Sequence, residues 1–144
     1  MMNLIPKIPA LRYAVVGLLG IVASGCGGGT NDAPERFPIS GKVNYDGKPV
    51  PKGNITFIPD STKGNSGPST TVAIVEGMYQ SKEGTIGGPH IAQIAGYDGI
   101  PIPSGEGGEN PTGKELFNGW KKNLDLPKES TTEDFEVPKS QGRT

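Results

Sequence analysis

One histidine, His90, and one cysteine, Cys26, are all the imidazole and thiol chemistry that this 144-residue chain carries. Hydrolysis near neutral pH asks for a positioned base, an activated nucleophile or a metal-bound water. Zinc asks for three or four Cys, His or carboxylate ligands. A lone His that follows Pro89 at the start of an alternating run reads as a packing or hydrogen-bonding residue. The chain has no Gly-x-Ser-x-Gly elbow, and Asn110-Pro111-Thr112-Gly113-Lys114-Glu115 ends in Glu without the glycine spacing of a phosphate loop. No catalytic residue, cofactor or metal site is therefore expected. Asp98, Glu106 and Glu109 carry oxygen atoms of the kind that ligate Ca²⁺, but without EF-hand or RTX spacing they read as a solvated charge cluster. Trp120 with Tyr79 or Tyr97 is the set best suited to recognition, as an aromatic platform for glycans or peptides. The competing role for Trp120 is to anchor the start of a strand against the core.

Cys26 has a different setting. Lys7 and Arg12 give a short basic region, Tyr13 to Val22 form an apolar and glycine run, and Ala23-Ser24-Gly25 lead into Cys26. An export signal needs roughly 15–30 residues with an apolar stretch of about 7–15. A spanning helix needs about 20 apolar residues, which the stretch from Tyr13 to Cys26 does not reach. The Ala-Ser-Gly-Cys run resembles the lipobox of bacterial lipoproteins, although Ala23 stands where Leu is commonest. That resemblance implies cleavage between Gly25 and Cys26 and acyl chains on the Cys26 sulfur and amine. Two or more acyl chains hold a protein on a membrane where one binds reversibly. With no second cysteine, an intramolecular disulfide is excluded. Gly27 rather than Asp follows the cysteine, which by the sorting rule of well-studied Gram-negative bacteria implies the outer membrane or cell surface.

The elements that would position these residues are short. Twenty-three glycines and 14 prolines disfavour long helices and suit strands joined by turns. Residues 26–36 read as the lipidated cysteine and a flexible glycine-rich tether, 37–138 as one folded domain, and 139–144 as a frayed, disordered tail. Of 14 basic residues, Lys7 and Arg12 fall in the signal, so the remaining ~12 face 15 acidic ones, a net charge of about −3. That balance argues against nucleic acid, which asks for a clustered basic face. Alternation predicts strands over Phe37–Tyr45, Asn54–Ile58, Thr71–Val75, Met78–Gln80, His90–Tyr97, Lys122–Leu126 and Thr132–Val137. Asp46-Gly47 and Glu76-Gly77 supply tight turns, and Gly53 would mark a bulge on an edge strand whose flanking prolines block edge pairing. Residues 98–118 show no period and read as a long functional or mobile loop. About seven short strands predict an all-β, antiparallel β-sandwich following a cleaved signal helix.

The run from Pro38 to Pro59, with Gly41-Lys42-Val43-Asn44-Tyr45-Asp46-Gly47-Lys48-Pro49-Val50 at its centre, is similar to the opening of small lipoproteins abundant in planctomycete-type bacteria. Glu76-Gly77-Met78-Tyr79 and Gly88-Pro89-His90 continue the pattern. Those proteins resemble transthyretin-like, or carboxypeptidase regulatory-like, domains, which implies an Ig-like or prealbumin-like sandwich over about 37–138. Hydroxyisourate hydrolases and intradiol dioxygenases, enzymes on similar folds, rely on more than one histidine, and this chain has one. The expected function is thus a lipid-anchored, non-catalytic structural or protein-interaction module of the cell envelope. It would touch the membrane through its acyl chains and bind envelope proteins or glycans. The alternatives are a glycan-binding module built on Trp120 and the 98–118 loop, and third, an uncharacterised hydrolase.

Overall fold

The computed structural model describes residues 33–139. Gly25, Cys26, the signal and most of the tether lie outside the described residues, as does all of the tail beyond Lys139. The described chain is all-β, a curled sheet whose strands are β1 (Phe37–Tyr45), β2 (Lys48–Pro49), β3 (Lys52–Pro59), β4 (Thr70–Val75), β5 (Met78–Thr85), β6 (Gly88–Tyr97), β7 (Ile102–Ser104), β8 (Gly108–Asn110), β9 (Glu115–Leu126), β10 (Thr131–Thr132) and β11 (Phe135–Val137). The main sheet runs β10-β1-β5-β4-β3-β6-β9, with β2 and β11 also paired to β1, while β7 and β8 form a separate hairpin.

Local chemistry sets the hairpins. Asp46 and Gly47 have φ of 52° and 74°, and Glu76 and Gly77 have 50° and 76°. Two successive positive φ values make the turn whose twist matches antiparallel strands. They join β1 to β2 and β4 to β5, as the sequence predicted. Alternation then sorts the faces. Ile39 and Val43, Ile55 and Phe57, Val72 and Ile74, and Ala92 and Ile94 point inward and are buried. The curl brings distant strands together: Phe57 on β3 lies 5.9 Å from Tyr79 on β5 and 6.4 Å from Phe135 on β11, ring centre to ring centre. Trp120 on β9 meets Phe135 edge-on at 6.3 Å, and Tyr45 stacks on Phe117 at 5.0 Å. The rings of β9 thereby close the core against those of β1 and β11, from opposite margins of the sheet.

Four expectations are corrected. First, Thr132–Val137 is not one antiparallel strand: β10 and β11 pair parallel to β1. β9 runs opposite to β1, so the chain that reverses after Leu126 arrives beside β1 in the same direction. Alternation reports faces, not direction. Second, 98–118 is not a structureless loop but the β7–β8 hairpin followed by the start of β9. Its base is pinned by Asp98 N–H donating to the Lys114 carbonyl (2.9 Å) and Gly99 N–H to the Thr112 carbonyl (3.0 Å). Third, β9 begins at Glu115 rather than Lys122, so Trp120 sits mid-strand. Gly119 has φ 70° within a register shift against β6. This bulge turns both Phe117 and Trp120 inward although they stand three residues apart. Fourth, Gly53 marks neither a bulge nor an edge. β3 is central, and a Cβ at Gly53 would lie 2.3 Å from the Ala95 carbonyl oxygen, so glycine there permits close approach of two backbones.

Candidate functional site

The outward face of the sheet is where this fold offers a surface. Cross-strand pairing aligns Lys42 with Met78, Met78 with Val75, Val75 with Lys52, and Lys52 with Tyr97. Residues opposite one another in a ladder share a face, so this row crosses five strands on the solvent side. At its middle, Val75 and Met78 are 59% and 62% exposed, an apolar pair at the tip of the β4–β5 hairpin with a lysine on either side. Two open troughs flank the pair. One, of about 680 Å³, runs over Ser40, Lys42, Met78 and Gln80 toward Thr132 and Asp134. The other, of about 600 Å³, runs over Lys52, Asn54 and Tyr97 to Asn110 and Thr112 of the β8 turn. Both are bordered by Ala73 and Val75, so they lie on either side of that shared border and together make up the outer furrow.

The aromatic platform expected from Trp120 with Tyr79 or Tyr97 is not assembled. Trp120 pairs with inward Ile94 and packs on Phe135. Tyr79 is 3% exposed and donates its hydroxyl to the Glu133 carbonyl at 2.7 Å. Tyr97 lies on the outward parity and lines the furrow, whereas Tyr79, though it borders the first trough, has its side chain buried in the core. His90 is 1% exposed, and its Nδ1 donates to the Gly88 carbonyl at 2.8 Å, a backbone-bracing bond inside the sheet. Asp98 accepts at Oδ1 from the N–H groups of Ile100 and Lys114, both at 2.9 Å, which ties it to the hairpin base. Among the described residues no three His, Cys, Asp or Glu side chains come close enough to hold a metal.

Two titratable groups are bound into the fabric. Burial, reinforced by the charges of Glu133 and Asp134, pushes the Tyr79 phenol well above its usual range. A phenol whose folded pKa is raised stabilises fully below its unfolded value of about 10 and loses that contribution as pH climbs past it. The domain should therefore lose stability above about pH 10. Tyr79→Phe should flatten that alkaline loss in thermal melts while costing about 1–2 kcal/mol at neutral pH, for a lost hydrogen bond and an unpaired carbonyl. Asp60, after β3, accepts from the Thr62 hydroxyl (2.5 Å) and N–H (3.1 Å). The hydroxyl bond foremost holds its carboxyl below the ordinary range, so its contribution is present above about pH 4 and fades as pH falls.

Lys42, Val75, Met78 and Lys52 carry no distinctive chemistry by type. The readable signal was parity: Val75 and Met78 flank a two-residue turn at positions out of phase with buried Ile74 and Tyr79. Comparison with protein-family models finds no match for this chain, and comparison with curated proteins finds none either.

Proposed function

We propose that this chain is an exported, lipid-anchored, non-catalytic β-sandwich module of the cell envelope that binds a protein partner across the outer furrow. The anchoring half of the reading rests on Ala23-Ser24-Gly25-Cys26 behind its short apolar run. The binding half rests on one observation, the exposed Val75–Met78 pair set between Lys42 and Lys52 on the outward face. Exposed apolar contacts rimmed by polar groups are the anatomy of an interaction site. The curled all-β sheet is compatible with a sandwich of the transthyretin-like or carboxypeptidase regulatory-like kind. The non-catalytic reading is supported by the use of His90 and Asp98 in backbone bracing.

The test compares envelope proteins retained by the tagged, lipidated wild type with those retained by Val75→Asp/Met78→Asp, whose changed side chains lie in solvent. A partner held by wild type should be lost in the double variant while the melting temperature stays put. Retention unchanged in the variant rejects the furrow. Binding to a polysaccharide array that is lost on Tyr97→Ala would replace the protein partner with the glycan alternative. That reading draws on Tyr97 standing beside Asn54, Asn110 and Thr112.

A further inference from the structure

We propose that two copies of this chain join through antiparallel pairing of their β9 edges about a twofold axis at Asn123. β9 ends the main sheet and, among the described residues, pairs only with β6. From Trp120 to Leu126 its register with β6 is unbroken, and the bulges lie before this stretch. Seven regular residues therefore present one side of their backbone N–H and C=O groups as a template for another strand.

The side chains select the partner and the register. In a twofold antiparallel pair about Asn123, Lys121 of one copy stands opposite Asp125 of the other, and symmetry produces that pair twice. Both residues are exposed and both lie on the outward face, opposite Gln93 and Pro89 of β6. Opposite charges directly across a ladder stabilise it, and like charges oppose it. On the inward face Trp120 and Leu124, only partly buried at the margin of the core, would stand opposite Leu126 and Lys122. The Lys122 stem already leans toward the Phe135 ring, its nitrogen 5.3 Å from the centre, so a second copy would cover this apolar margin. Neighbouring registers fail. An axis at Lys122 sets that lysine against itself. An axis at Leu124 sets Lys121 against Pro127, which has no N–H to give. An axis between residues opposes inward to outward side chains. Lysines on a free edge ordinarily repel other strands; here the acidic partner of Lys121 is supplied by a second copy.

The experiment is sedimentation of the purified full chain in mild detergent over a concentration series, with a charge swap. Wild type should pass from monomer to dimer as concentration rises. Lys121→Asp and Asp125→Lys should each raise the dimer dissociation constant by about tenfold or more, since each places two like-charge pairs in the interface. The double variant Lys121→Asp/Asp125→Lys should recover association to within about threefold of wild type, because the pairs are restored with their signs exchanged. At concentrations where every form is monomeric, these exposed substitutions should leave thermal unfolding unchanged. A wild type that stays monomeric throughout, single variants that associate like wild type, or a double variant that does not recover would each overturn the proposal.

Discussion

Gly41→Ala is expected to cost about 4 kcal/mol or more and to leave little folded protein, a loss comparable to much of the roughly 5–15 kcal/mol that holds a small domain together. β10 and β11 follow a single register along β1, interrupted at Glu133 and Asp134 opposite Gly41 and Lys42. There the chain dips toward β1, and the Glu133 carbonyl sits where a side chain on Gly41 would start. A Cβ at Gly41 would come within 1.8 Å of that oxygen and 3.0 Å of the Tyr79 ring. Backbone cannot yield such a distance without moving. The movement would break the Tyr79 hydroxyl bond to Glu133 and would disturb two others, Glu133 N–H to Ser40 O (2.9 Å) and Lys42 N–H to Asp134 Oδ1 (2.8 Å). Each is worth about 1 kcal/mol, more where a buried group is left unpaired. Urea denaturation should show the midpoint collapsing with little change in slope. A variant within about 1 kcal/mol of wild type would mean that the β10–β11 segment is not held against β1 as described.

Phe57→Ala should follow closely, at about 3–5 kcal/mol. Phe57 is fully buried on the interior strand β3 and packs against the rings of Tyr79 and Phe135, which also meet each other. Its removal opens a void beside Tyr79 of β5 and Phe135 of β11, and neither β3 neighbour can shift inward without breaking its ladder. For a domain of about 100 residues this corresponds to a fall in melting temperature on the order of 15 °C or more. An unchanged melt would place Phe57 on the wrong face and with it the register of β3.

Those two residues also show how far the fold could be read from the chain. Phe57 is legible because it alternates with Asn54 and Thr56 between clear stops, and the same holds for Ile39 and Phe135, whereas the two faces of His90–Tyr97 are too alike in sequence to place Ile94. Gly41 was legible as part of a strand but not as a contact, since nothing local says that a carbonyl 92 residues on will press against it. The Asp46-Gly47 and Glu76-Gly77 turns were readable because two positive φ values have few solutions in sequence. The first half of β9 was hidden by its own bulge: Phe117 and Trp120, both inward, break the period of two. Parallel pairing of β10 and β11 was hidden because direction leaves no mark on alternation. The site was less visible still. Aromatic type pointed to Trp120 and Tyr79, which the curl draws inward, whereas the furrow is made of ordinary residues whose meaning lies in being left outside.

The reading as a lipid-anchored envelope protein turns on one atom, the sulfur of Cys26, and the most direct measurement is the intact mass of the protein recovered from the membrane fraction of the cells that make it. The expected result is a chain that begins at Cys26 and exceeds its peptide mass by the mass of acyl chains on the cysteine, with Cys26→Ser left unprocessed or released from the membrane. A chain that begins elsewhere, or a Cys26 with a free thiol, would contradict it.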